Sequence, residues 1–206
     1  MRVVTGEAKG RKLKAPKTTG TRPIIDRVKT ALFDILSVRV EDARFLDLFA
    51  GTGSVGIEAL SRGAASATFI EMSHSVLKLV RENLRITGLA DRAETLHADA
   101  FKFLQAQANA QPAVDNTRRE YDIIYIAPPQ YHEMAARALA LLDSSPLVAE
   151  TGLVIIQIHP KERAGVAAVP LTRLKLTDER RYGSTLLMFY EADKEQSTHV
   201  DTTTEA

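Results

Sequence analysis

Phe45-Leu46-Asp47-Leu48-Phe49-Ala50-Gly51-Thr52-Gly53-Ser54-Val55-Gly56-Ile57-Glu58 is the stretch on which the fold turns. Phe45 to Phe49 is short, apolar and closed by a glycine turn, the pattern of a buried parallel strand. Gly51 and Gly53 admit positive φ and close backbone approach. From Gly53 to Ser61, Val55, Ile57, Ala59 and Leu60 supply the buried face of a helix. A strand, a loop and a helix in that order aim the loop amides at whatever docks there.

Two ligands suit such a loop. Gly51, Gly53 and Gly56 spell the dinucleotide pattern G-x-G-x-x-G, a weak signal by itself. The other ligand is S-adenosylmethionine, with Asp47 at the strand end facing its cationic amino acid part. A buried carboxylate beside a cation is paired, whereas beside a pyrophosphate it is repelled. Asp47 therefore tilts the choice towards the sulfonium cofactor. A strand–turn–helix with no ligand is the bland alternative, and an acid with three glycines is more than folding alone needs.

The chain has 206 residues, which suits one domain with short appendages. At 45% hydrophobic and 26% charged it can bury a full core. No apolar run approaches the ~20 residues of a membrane span, and no secretory segment is evident. Cysteine is absent, which excludes disulfides and thiolate metal sites and fits a cytoplasmic protein. His74, His97, His132, His159 and His199 lack metal-ligand spacing, so no metal is expected. The net charge of +1 hides an asymmetry: residues 1–30 hold nine basic and two acidic side chains. That basic start points to a polyanionic partner, against the plainer reading of a solvated arm.

Along the chain, Arg2 to Thr5 and Leu13 to Ala15 suggest a β-hairpin with Arg11, Lys12 and Lys14 beside its turn. Helical spacing runs from Ile24 to Leu36, with Asp26 as a candidate cap and Arg22, Arg27 and Lys29 near its start, placed for a phosphate. Ala67 to Glu71 reads as a second strand, Ser73 to Ile86 as a helix stopped by Gly88, and Ala93 to Ala98 as a third strand. Glu71 lies roughly 20 residues past the glycine turn, the spacing at which an acid reaches ribose hydroxyls. It supports an adenosine ligand without choosing between the two cofactors. Asp99 either caps the next helix or accepts from an adenine amine, and one residue can serve both.

Gln105 to Arg119 reads as a helix end and loop. Tyr121 to Ala127 is a fourth strand that runs into Pro128-Pro129-Gln130-Tyr131, a stiff rim at the sheet's carboxyl edge. Met134 to Leu142 is a helix, and Leu153 to Ile158 a fifth strand. Leu171 to Leu176 and Leu186 to Tyr190 make a closing antiparallel hairpin. Residues 193–206 are polar and acidic and read as a disordered tail. The alternation of strands and helices predicts a doubly wound α/β sheet with one antiparallel strand.

These residues resemble the RsmD group of S-adenosylmethionine-dependent methyltransferases, which methylate the exocyclic N2 of a guanine in small-subunit ribosomal RNA. The likeness rests on Gly10-Arg11-Lys12-Leu13, on Arg22-Pro23 with Asp26-Arg27-Val28 and Ala31-Leu32-Phe33, on Asp47 through Gly53 continuing to Gly63-Ala64, and on Arg181-Tyr182-Gly183. It implies a seven-stranded Rossmann-like sheet with its last strand antiparallel. Together with the residue pattern this divides the chain into a basic N-terminal hairpin and loop over 1–21, a methyltransferase domain over 22–192, and the tail over 193–206. The implied cofactor set is Asp47, Phe49, Gly51, Thr52 and Gly53, then Glu71 and Met72, then Asp99 and Ala100. Arg11, Lys12, Arg22 and Arg27 are implied RNA contacts, on naked ribosomal RNA or an assembling small subunit. A monomer is expected.

One departure bears on chemistry. The family's fourth strand usually ends Asp-Pro-Pro-Tyr or Asp-Pro-Pro-Phe, and here it ends Ala127-Pro128-Pro129-Gln130-Tyr131. Those five positions are the implied catalytic rim, and Ala127 has no side-chain acceptor for the target amine. The Pro128 carbonyl and the Gln130 amide oxygen remain. One charge-assisted hydrogen bond is worth roughly 1.5–3 kcal/mol, about ten- to a hundredfold in rate if it forms only in the transition state. The alternatives are a relative that lost chemistry at Ala127 and serves as a cofactor- or RNA-binding module, and a nucleotide-dependent oxidoreductase.

Overall fold

The side chains of residues 45–48 alternate between two apolar surfaces, and that alternation puts their strand between two helical layers. The computed structural model describes residues 1–16, 24–108, 119–130 and 133–192. Its strands are β1 (Arg44–Asp47), β2 (Ser66–Glu71), β3 (Ala93–His97), β4 (Tyr121–Ile126), β5 (Val148–Ile158), β6 (Leu174–Tyr182) and β7 (Thr185–Ala192). Its helices are α1 (Asp26–Leu36), α2 (Ser54–Ser61), α3 (His74–Thr87), α4 (Ala100–Ala108), α5 (Met134–Asp143) and α6 (Arg163–Ala167).

The strands form one seven-stranded sheet in the order β3-β2-β1-β4-β5-β7-β6. β1 through β5 pair in parallel, and β7 runs antiparallel to both of its neighbours. Phe45, Phe69, Ile123 and Ile155 face one helical layer, packing with Leu32 and Phe33 of α1, Ile57 and Leu60 of α2 and Val80 and Leu84 of α3. Leu46, Ile70, Ile124 and Ile156 face the other, with Phe101 and Leu104 of α4 and Leu139 and Leu142 of α5. Both faces of the central strands are covered, which is why they read as continuous apolar runs. Gly88 ends α3 in a left-handed conformation (φ +76°), as its position predicts. Among the described residues no helix is long and apolar enough to cross a membrane.

Several elements differ from the sequence expectation. β5 starts at Val148 rather than Leu153, because exposed Glu150 and Thr151 interrupt the apolar run without breaking the strand. β6 covers Leu174–Tyr182 rather than residues 171–176; its polar run Thr177 to Arg181 lies on the outermost strand, where charge discourages edge-to-edge pairing. The short helix α6 had no recognisable pattern. Asp26 does not cap α1: Ile25 occupies the cap without a side-chain bond, and Asp26 instead lies 3.4 Å from Arg2. The tail over 193–206 lies outside the described residues, as does most of the Gln105–Arg119 loop.

The N-terminal hairpin is present only as a chain reversal with a single antiparallel bridge, Arg2 to Lys12. Val3 N–H donates across the reversal to the Arg11 carbonyl at 3.0 Å and Leu13 N–H to the Met1 carbonyl at 3.2 Å, while other amides find acceptors on α2. Val4 N–H and Thr5 N–H donate to the Glu58 carboxylate at 2.8 and 2.9 Å, and Ala8 N–H donates to Ser61 Oγ at 3.0 Å. Lys29, fully buried, donates to the Arg2 carbonyl at 2.7 Å and lies 3.1 Å from Glu58. Lys29 therefore holds this segment down and is not a phosphate ligand, contrary to the sequence reading. Removing one member of a buried charge pair strands the other. Glu58→Gln is expected to cost about 3–5 kcal/mol in urea unfolding. It should also speed hydrogen exchange at the Val4 and Thr5 amides. A loss below about 1 kcal/mol with those amides still protected contradicts this role for the pair.

Candidate active site

The chain leaves β1 towards β2 on one side, while β4 pairs on the other, so the strand order reverses at the carboxyl end of β1. Open α/β sheets bind ligands in the crevice at such a point. The ends of β1, β2, β3 and β4 stand side by side there, carrying Asp47, Glu71, the Asp99 connection and the Ala127–Gln130 rim. A concavity of about 810 Å³ between Gly6, Asp34, Arg62 and Arg92 lies at the opposite edge and holds none of these groups.

Asp47 is 2% exposed, and its Oδ2 accepts the Gly56 N–H at 3.2 Å. Burial pushes its carboxyl up to about 7; the Gly56 amide opposes that and the like charge of Glu71 adds to it. The contact exists because α2 lies close to the sheet: a Cβ on Gly56 would meet the Phe69 ring at 2.4 Å. Glu71 is half-buried and uses both oxygens on backbone, accepting Gly51 N–H at 3.0 Å and Ser73 N–H at 2.7 Å. It thus ties the glycine loop to the start of α3. Gly53 caps α2 with φ +75°, and a Cβ on Gly51 would meet nothing, leaving open space over the loop.

Asp99 does cap α4: its Oδ1 accepts from Phe101 N–H and Lys102 N–H, both at 2.9 Å. The cap engages one oxygen of two. Ala100 is buried beneath it, and Met72, beside Glu71, is 68% exposed at the strand end. Phe49 is half-buried and meets Phe101 edge-on at 6.0 Å, which joins the end of β1 to the start of α4. Thr52 is buried.

At the rim, Ala127 is half-buried against the α1-side core, Pro128 is buried, and Pro129 and Gln130 are exposed. Tyr131 lies outside the described residues, and so does Arg22. Arg11 donates to the Ile86 carbonyl at 2.7 Å, near the end of α3 farther from Glu71. Lys12 and Arg27 are exposed.

Sequence reasoning missed several supports. Asn83, fully buried, donates to the Thr52 carbonyl at 3.0 Å and to Lys14 O at 3.1 Å, fixing the glycine loop and the N-terminal segment together. Its position on the apolar face of α3 with Val80, Leu84 and Thr87 was the available signal. His97 is bonded to the Met72 carbonyl at 2.8 Å, and Tyr125 donates its hydroxyl to Gln157 at 2.6 Å. These pairs join residues distant in sequence, and no local pattern announces them.

Comparison with known proteins follows the same lines. A family model described as Conserved hypothetical protein 95 matches residues 1–191. YlbH of Bacillus subtilis is 33% identical over 92% of this chain and 98% of its own length. Ribosomal RNA small subunit methyltransferase D of Escherichia coli is 30% identical over 98% of this chain and 94% of its own. The solved structure of yhhF from Escherichia coli is 32% identical, with a TM-score of 0.78 and coverage of 95% of this chain and 99% of that one. The chain belongs to the Conserved hypothetical protein 95 family, the RsmD-type methyltransferases.

Proposed function

We propose that the protein methylates the exocyclic N2 of a guanine in small-subunit ribosomal RNA, using S-adenosylmethionine, in the cytoplasm and as a monomer. The observation that carries the reading is Asp47: a buried acid at the switch point with one amide donor and its carboxyl pushed up to about 7. Such a site gains from a cation beside it. The amino acid part of the cofactor carries an ammonium, whereas a dinucleotide pyrophosphate adds repulsion.

Asp47, Phe49, Gly51, Thr52 and Gly53 would hold the methionyl half, and Glu71, Met72, Asp99 and Ala100 the adenosine. Glu71 has lone pairs beyond the two that its amide partners engage, and Asp99 has a second oxygen, so both fit hydroxyl and amine donors. Bound there, S-adenosylmethionine would supply a methyl group from its positively charged sulfur to the amine, the thioether being the leaving group and the amine's proton passing to water. Pro128 and Pro129 hold the rim rigid for that in-line approach, with the base flipped out and stacked on Tyr131. Lys12, Arg27, Arg22 and Arg11 would contact phosphates of the RNA.

Incubation with labelled S-adenosylmethionine and precursor ribosomal RNA or assembling small subunits should yield N2-methylguanosine after nuclease digestion. Its absence from every substrate state ends the reading. Lys12→Ala with Arg27→Ala should weaken RNA binding and flatten the dependence of log K on log salt by about two contacts. An unchanged slope removes both residues from the interface.

Asp47 gives a test with a definite sign. Its folded value of about 7 lies above the ordinary 3.8, so stability is fully present below about pH 4 and is lost as pH rises to 7. In the cofactor-free protein, Asp47→Asn should match wild type near pH 4. By pH 8 it should be the more stable, by an amount on the order of 4 kcal/mol. The same variant should lose about 2–5 kcal/mol of S-adenosylmethionine affinity by calorimetry at pH 8. Stability that tracks wild type at both pH values, or unchanged affinity, contradicts the assignment.

A further inference from the structure

Ala127 gives the target amine no side-chain acceptor, but the neighbouring strand carries one. β4 and β5 are parallel, with Tyr125 opposite Ile155 and Ile126 opposite Ile156. The pairing ends at Ile126, and extending the same register by one residue would bring Ala127 abreast of Gln157. Tyr125, Ala127 and Ile155 share the α1-side core, so the alternation places Gln157 on that same face. Gln157 is half-buried, and Tyr125 is buried with its hydroxyl donating to Gln157 Oε1 at 2.6 Å.

We propose that Gln157, clamped by Tyr125, supplies from β5 the hydrogen-bond acceptor absent at Ala127, and so reads the 2-amino group of the guanine. The inference rests on the guanine-N2 reading. An amide oxygen has two acceptor positions; Tyr125 fills one and leaves the other for an N–H of the base. Burial, and the charge of Asp47 after it, raise the Tyr125 hydroxyl well above its ordinary value, so it stays a donor. Gln130 is the competing acceptor, but it is exposed on the turn, and ordering a free glutamine costs roughly 1.5–2 kcal/mol. Gln157 is already ordered. Its amide is also neutral, which suits an edge where Glu71 already raises the Asp47 carboxyl by like charge. A carboxamide accepts the hydrogen bond without taking the proton, consistent with release of that proton to water.

The test uses guanosine 5′-monophosphate and inosine 5′-monophosphate, which differ by the 2-amino group, titrated into the full chain. Wild type should bind the guanine nucleotide about tenfold more tightly. Gln157→Leu should abolish that preference and lower kcat about tenfold with the S-adenosylmethionine Kd unchanged. Gln157→Glu keeps an acceptor and should keep the preference. Tyr125→Phe frees the amide and should reduce it. Adding Ala127→Asp to Gln157→Leu should restore it. A preference that survives Gln157→Leu, or that Gln130→Ala removes while Gln157→Leu does not, overturns the role of Gln157 alone. If Gln157→Leu does not fold, Gln157→Val, which also lacks an acceptor, takes its place, and a preference that survives in it overturns the role equally. A wild type that binds both nucleotides alike and makes no N2-methylguanosine overturns the guanine-N2 reading itself.

Discussion

The close approach of α2 to the sheet governs the rest of the crevice. Gly56 lets the helix settle onto the Phe69 ring, where any side chain would collide. Only at that separation does the Gly56 amide reach Asp47, 3.2 Å away. The loop between them must then turn back sharply, which is why Gly53 sits in the left-handed region. Glu71 completes the arrangement by accepting from Gly51. One packing contact between a glycine and a phenylalanine therefore sets the position of two carboxylates and of the loop over which a ligand lies.

Those carboxylates are held in different ways, and the difference has an energetic meaning. Glu71 has a backbone amide on each oxygen and is only half-buried. Asp47 is nearly sealed, has one donor, and faces a like charge. Folding gains nothing from an ionised Asp47 there; a cationic ligand does. A residue that lowers stability where chemistry needs a charge is the usual form of the compromise between stability and activity. The same chain buries Lys29 against Glu58, where the charges meet each other and several backbone groups. That pair serves architecture, and it explains why part of the basic N-terminal charge is unavailable to a polyanion.

The N-terminal segment also shows how a strand-like pattern can be diverted. Arg2 to Thr5 has the composition of a hairpin arm, yet Glu58 of α2 takes the Val4 and Thr5 amides, and Val3 N–H donates across the reversal to Arg11 O. Asn83 then links Lys14 to the Thr52 carbonyl of the glycine loop. The basic segment and the crevice are thus mechanically joined, although Arg11 itself lies towards the far end of α3.

Local pattern by itself determined the central architecture: the apolar run at Phe45, the glycine turn, the amphipathic helix ended by Gly88 and the acids at successive strand ends each follow from residues near one another. It also determined that Asp99 sits at a helix start, since capping is a local bond. Local pattern does not reveal the extent of edge strand β6, because a solvent-facing edge tolerates Asp178, Glu179 and Arg180, which erases the apolar signal. The start of β5 is hidden from the pattern because two exposed residues, Glu150 and Thr151, interrupt its apolar run. Tertiary structure alone decided the partners of Lys29, Asn83 and Gln157, which lie 29, 31 and 32 positions from Glu58, Thr52 and Tyr125. A buried polar group takes whatever acceptor or donor the packed elements bring to it, and which one arrives depends on sheet register and helix seating rather than on neighbouring residues.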